Sequence, residues 1–156
     1  MSLGIATCRV GYVVFESPQF LVEWGVADVK RKSEGDTIDR ICALLAWYFP
    51  DVLVLEDVNH ASYEKGEHSR RLIKRTAEEA ANRSIDVARV TQAEVRQCFG
   101  ILGANNKSDR ARLVAQSYPE LLRALPDARK AWATEDYQIP MFDAAAFALL
   151  YFKAHE

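Results

Sequence analysis

The sequence is poor in residues that build covalent scaffolds or membrane anchors. Its three cysteines, Cys8, Cys42 and Cys98, are odd in number and widely spaced, with no Cys-x-x-Cys. Neither a disulfide framework nor a zinc site is indicated, which fits a reducing, cytoplasmic setting. No apolar run approaches the roughly 18 residues of a membrane helix, and no basic-then-apolar leader opens the chain. The GxSxG elbow, the Walker lysine motif, HExxH and a strand–GxGxxG–helix arrangement are all missing. The commonest signatures of serine hydrolases, NTPases, zinc proteases and dinucleotide enzymes are thereby removed, and no small-molecule cofactor is evident. Repeats, linkers and low-complexity tracts are absent too. A net charge of −2 argues against a protein that holds nucleic acid by overall charge.

What remains is an ordinary globular composition. A chain of 156 residues that is 49% hydrophobic reads as one domain over 1–156, long enough to bury a sizeable core. Charge is uneven: residues 64–112 hold 11 Lys/Arg against 7 Asp/Glu, a balance of +4, while the remainder balances to −6. A basic middle permits a local phosphate-facing surface, although solvated helix faces give the same count.

Periodicity predicts two strands at Leu3–Ala6 and Gly11–Phe15, joined by Thr7-Cys8-Arg9, and a third over Phe20–Val29 after a Ser17-Pro18-Gln19 turn. From Asp36 or Thr37, Ile38, Ile41, Cys42, Leu45 and Phe49 fall on one helical stripe that Pro50 stops. A strand follows at Val52–Leu55, then a polar loop from Asn59 to Gly66. A charged helix over Glu67–Asn82 and a fifth strand over Ile85–Val90 come next. Thr91 and Glu94 have the capping-box spacing, opening a short helix to Phe99. A loop over Gly100–Asn106 precedes a helix from Lys107 or Ser108 to about Tyr118. Residues 119–136 give no clear signal. A nearly all-apolar, hence buried, helix runs from Met141 to Phe152. This order describes an α/β fold of the ribonuclease H-like kind: a mixed five-stranded sheet, a three-strand meander plus two parallel strands, with helices on both faces.

Val52-Leu53-Val54-Leu55 is apolar on both faces and runs straight into Glu56-Asp57. A carboxylate at that strand end costs desolvation unless something positive accompanies it. Ligands of open α/β sheets bind at such ends. Glu56 is therefore the first candidate for chemistry, and Asp57, by alternation, points to the opposite face. Asp143, read in the first turn of the last helix, can aim at the same rim, although the helix dipole alone favours an acid there. Phosphodiester cleavage by two metals needs carboxylates gathered from several elements around ions about 4 Å apart. The first strand ends in Ala6, which cannot contribute. Glu16, at the far end of the second strand, would need a different geometry.

Three stretches resemble the RuvC-type Holliday junction resolvases, over nearly the whole chain. Leu3-Gly4-Ile5 with Arg9-Val10-Gly11-Tyr12-Val13-Val14 is similar to the family's opening strand, turn and Gly-Tyr strand. Pro50-Asp51-Val52-Leu53-Val54-Leu55-Glu56-Asp57-Val58 is similar to its Pro-Asp…Glu strand. The most specific is Val90-Thr91-Gln92-Ala93-Glu94-Val95-Arg96-Gln97 with Gly100…Gly103-Ala104-Asn105-Asn106-Lys107-Ser108, which is similar to its Val-Lys-Gln helix, glycine loop and Lys-Ser helix start.

The resemblance implies catalytic and metal-ligating roles for Glu56 and Asp143. The first-strand aspartate of the family falls on Ala6, with its Asp-x-Gly turn also gone, and the second last-helix acid falls on Pro140 or Ala146. It implies Lys107 beside the active centre, where its ammonium and the helix-start amides could meet one phosphate; Arg70, Arg71, Lys74 and Arg75, by their i, i+4 spacing, form a basic face that could track a DNA backbone or a surface salt-bridged with Glu78 and Glu79. The aromatic that stacks on bases becomes Asn59, leaving His60 or Tyr63 nearby. Dimerisation through the following helix would rest on Leu72, Ile73, Ala77, Ala80 and Ala81. The expected function is binding of branched or structured DNA with the nuclease site impaired or lost. The alternatives are an active endonuclease using Mg2+ and a non-catalytic protein-interaction module.

Overall fold

The computed structural model describes residues 1–29, 33–125 and 137–156. Strands β1 (Ser2–Ile5), β2 (Arg9–Ser17) and β3 (Phe20–Asp28) form an antiparallel meander. Helix α1 (Glu34–Tyr48) then crosses to β4 (Val52–Glu56), and α2 (Glu67–Asn82) to β5 (Asp86–Val90). Both later strands are parallel to β1, giving the sheet order β3-β2-β1-β4-β5. Helices α3 (Gln92–Ile101), α4 (Lys107–Ser117) and α5 (Ile139–Ala154) follow, with a 3-10 turn at Pro119–Ala124. The mixed sheet expected from the sequence is present. No helix among the described residues is long and apolar enough to cross a membrane.

Helix starts follow local capping chemistry. Ser33 Oγ accepts from the Asp36 amide at 3.2 Å, so α1 begins before the expected Asp36. Thr91 and Glu94 close the capping box in both directions. At the end of α1 stands Phe49, with φ 44°, left-handed and strongly exposed. That conformation normally belongs to glycine or asparagine.

Alternation along the strands sorts the core into two layers. Leu3, Ile5, Leu53 and Leu55 lie under α1 and α2, meeting Ile41, Leu45 and Leu72. Val13 and Val54 face the other way, toward α3, α4 and α5, where Val95, Val114 and Phe147 pack. Each such side chain, fully buried, contributes roughly 1.5–3 kcal/mol. Leu72, Ile73 and Ala80, expected at a dimer contact, belong to the first layer and are 0%, 4% and 0% exposed. These three are taken up by this chain's own core, whereas Ala77 is half-buried and Ala81 is exposed.

Helix α5 begins at Ile139, not Met141, because Pro140 sits in the first turn, where no amide donor is required. Asp143 consequently lies in the second turn, and the first turn carries no acid. The dipole account of Asp143 falls away with that shift. The start of α5 rests directly on bare main chain. A Cβ at Gly11 would stand 2.0 Å from the Pro140 carbonyl carbon, and one at Gly4 would stand 2.1 Å from the Pro140 oxygen. Only glycine fits either position.

Candidate functional site

Glu56 ends β4 and shares parity with Val54, so it projects toward the α5 side of the sheet. It is 3% exposed, and a bare carboxylate so deeply buried would be very costly. The cation that accompanies it comes from the loop between β4 and α2. Lys65 Nζ lies 3.2 Å from Glu56 Oε2 and donates to the Ile5 carbonyl oxygen at 3.1 Å. The ammonium thus bridges the end of β4 and the end of β1, beside Ala6. Among the described residues neither Glu56 oxygen has an aligned hydrogen bond, so the contact with Lys65 is an ion pair only.

The loop that carries Lys65 is fastened at several points. Asp57 Oδ1 accepts from the Asn59 amide at 2.9 Å, giving the second acid of the pair a turn-forming role. Ser62 Oγ accepts from the Ala93 amide in the first turn of α3 at 3.2 Å and lies 2.7 Å from His60 Nδ1. Glu64 pairs with Arg96 of α3 at 2.8 Å. Tyr63 packs into the α1–α2 layer, its hydroxyl donating to the Gly66 oxygen at 3.2 Å. Burial, with the Glu56 charge adding to it, pushes that hydroxyl up to about 12. Tyr63, considered for base stacking, is a core residue. His60 stays exposed.

Asp143 interacts electrostatically with Arg110. Arg110 of α4 is partly buried, and burial lowers its affinity for a proton while the negative charge of Asp143 raises it. Arg96 lies near enough to act in the same sense as burial. Each of the two acids singled out in the sequence is thus matched by a basic residue that sequence reading did not select. A signal for Lys65 existed: Ala6 offers no charge at this end of the sheet, so a buried Glu56 needs a positive charge from elsewhere.

The basic face expected on α2 is largely committed within the chain. Arg70 stacks over the Tyr63 ring at 4.7 Å, donates to the Val58 oxygen and pairs with Glu67 at 3.2 Å. Arg71 and Arg75 both reach Glu34, each at 3.3 Å, and their guanidinium groups hold its carboxyl below the usual range. Lys74 is exposed. Lys107 opens α4 behind the Asn106 cap and is also exposed.

The described residues at this rim do not fit a pair of divalent ions. Ala6 supplies no ligand, the Lys65 ammonium stands against Glu56, and no cluster of three or more His, Cys, Asp or Glu suited to a metal exists among the described residues. Oxygen-rich, carboxylate-based shells are what Mg2+ requires.

The whole arrangement is similar to solved resolvase structures. RuvC of Thermus thermophilus in complex with a Holliday junction substrate superimposes with a TM-score of 0.64 at 17% identity, covering 99% of this chain and 94% of that one. The T. thermophilus RuvC structure without that description gives 0.63 at 17% identity, covering 99% and 95%. The yeast mitochondrial Holliday junction resolvase Ydc2 gives 0.50 at 13% identity, covering 98% and 78%. No protein-family model and no curated protein matches the sequence. At these identities the likeness establishes the fold.

Proposed function

We propose that this chain binds branched or structured DNA on a resolvase fold without cutting it through a metal pair. The observation that carries the reading is Lys65 Nζ standing between Glu56 Oε2 and the Ile5 oxygen, where a first-strand carboxylate and a metal would otherwise be needed. An ammonium there offsets the charge of the buried glutamate and repels a divalent ion at the same time. Support for DNA as the partner comes from the fold, since one similar structure is described as a complex with a Holliday junction substrate.

In this reading Lys107 meets phosphate together with the amide groups of the α4 N-terminus. Lys74 adds a second contact, and Arg71 and Arg75 exchange Glu34 for the DNA backbone. Arg70 keeps its place over Tyr63. Glu56 and Asp143 serve as internal counter-charges and not as metal ligands. The cysteines are all free, in keeping with a reducing, cytoplasmic location.

The test is a gel-shift series with a four-way junction and a matched duplex, raising salt from about 50 to 200 mM. Junction binding should weaken steeply with salt and drop further in Lys107→Ala, and the junction should stay intact in millimolar Mg2+. Cleavage that disappears in Glu56→Gln would restore the endonuclease reading. Salt-insensitive or absent binding would favour the protein-interaction module.

A further inference from the structure

Strand β5 ends the sheet, and among the described residues no strand pairs with its outer side. The Asp86 amide donates to the Asp51 oxygen at 3.2 Å, and the Val90 oxygen accepts from the Asp57 amide at 2.8 Å, so these two residues turn their main chain toward β4. By alternation the amides and carbonyls of Val87 and Arg89 point outward, a short template for a further strand. A cleft of about 450 Å³ opens beside this edge, between β5, α3 and the last turns of α5. Its apolar wall includes Ala88, Val90, Ile101, Leu150 and Tyr151.

Two further properties of the cleft are not used by the fold. Ile101, the last residue of α3, is 78% exposed and gains little from this chain's own core. Arg89 and Lys153 line the cleft, both exposed, with no carboxylate partner among the described residues. Lys153 Nζ reaches only the Cys98 sulfur, at 3.7 Å. The one carboxylate in the lining, Glu94, is held in the α3 capping box, where its Oε2 accepts from the Thr91 amide at 2.7 Å. An apolar cleft with unmatched positive charge, beside an open sheet edge, fits an extended segment that is both apolar and acidic.

We propose that this edge takes up an acidic, extended segment of a partner protein, which adds a strand to β5 through the outward main-chain groups of Val87 and Arg89. One apolar side chain of that segment enters the cleft against Ile101 and Leu150. Ala88 and Arg89 point to opposite faces of the sheet, so an acid adjacent to the apolar residue falls on the Arg89 face. An acid two positions away returns to the cleft side and meets Lys153. Nucleic acid shares the charge but offers no peptide groups to a sheet edge. The site uses none of Lys65, Glu56, Lys107 or the α2 cations, so it stands or falls apart from the DNA reading.

The experiment titrates the full chain with a fluorescein-labelled Gly-Asp-Glu-Leu-Glu-Asp-Gly peptide, following anisotropy. Its near-palindromic pattern suits either strand direction. Controls replace the leucine by serine or invert every charge. Saturable binding of the parent peptide is expected, at least ten-fold weaker for both controls. Arg89→Glu/Lys153→Glu and Ile101→Asp should each weaken it at least ten-fold. All three positions are exposed, so the melting temperature should stay unchanged. Junction binding by the charge variant should stay unchanged as well. Methylating the peptide amide of the leucine, or instead that of the glutamate after it, tests strand addition: one of the two peptides should lose at least ten-fold and the other should bind like the parent. Absent binding of the parent peptide overturns the proposal, as does equal affinity in the wild type and the charge variant. Parent-like binding by both methylated peptides overturns strand addition and with it the proposal. Loss of junction binding in the charge variant, without peptide binding, would make nucleic acid the occupant. A concentration-dependent dimer that Ile101→Asp dissociates, without peptide binding, would make it a second copy; either result overturns the proposal.

Discussion

The Lys65 ammonium and the Glu56 carboxylate meet at 3.2 Å, with the glutamate side chain 2% exposed and the lysine 25%. The asymmetry matters more than the distance. Lysine can withdraw toward water if its partner is neutralised, whereas the glutamate has nowhere to go.

Lys65→Met should therefore be far more damaging than Glu56→Gln. Removing the cation leaves a buried charge unmatched and is expected to cost about 3 kcal/mol or more. The amide variant should cost markedly less. Urea unfolding of both single variants and the double variant checks this, and the double should recover part of the loss from Lys65→Met.

Metal binding should be recoverable by design. Millimolar Mg2+ or Mn2+ should leave the melting temperature of the wild type unchanged. Ala6→Asp combined with Lys65→Ser offers two carboxylates and no opposing ammonium at the same rim, and should acquire an Mn2+-dependent rise in melting temperature. Wild-type stabilisation by Mn2+ that vanishes in Glu56→Gln would show that the rim already accepts a metal.

Gly11→Ala should be among the most destabilising small substitutions in the protein. Its new methyl group would fall 2.0 Å from the Pro140 carbonyl carbon, and main chain on both sides gives little room. A loss of about 3 kcal/mol is expected, with Gly4→Ala similar, whereas Gly66→Ala, whose Cβ meets nothing within 4 Å, should be tolerated. Thermal denaturation distinguishes them.

Alkaline pH should weaken the fold through Tyr63. Its hydroxyl is raised from 10.0 to about 12, chiefly by burial and secondarily by Glu56. Between those values the unfolded chain releases a proton that the folded chain retains, so unfolding becomes easier as pH rises. The contribution is intact below 10 and lost toward 12. Burial also raises Tyr12, Tyr48 and Tyr118. The informative quantity is thus the difference from Tyr63→Phe, whose stability should decline less over that interval.

Much of the scaffold is readable from local chemistry. The unbroken apolar run before Glu56 identifies an interior strand, and Thr91 with Glu94 fixes a helix start to the residue. Pro140 misleads because a proline seems to end a pattern when here it sits inside the first turn, moving Asp143 along the helix. The site is harder to read because its pairings are remote. Lys65 stands in a polar loop with no period, and its contact with Ile5 spans 60 positions. Arg110 and Asp143 belong to separate helices. The spacing of Arg70, Arg71, Lys74 and Arg75 along α2 is plain, yet nothing local shows that Glu34, on another helix, engages two of them. Tyr63 reads as a loop aromatic, and only the packed layers reveal it as core.

The glycine seat beneath α5 has one more consequence. A helix that touches the peptide planes of two strands, with no side chains between, cannot tilt or slide without collision. The start of α5, one turn before Asp143, is therefore held in place by the main chain of β1 and β2. A substitution in the loop that carries Lys65 alters the charge at this rim without disturbing that seat.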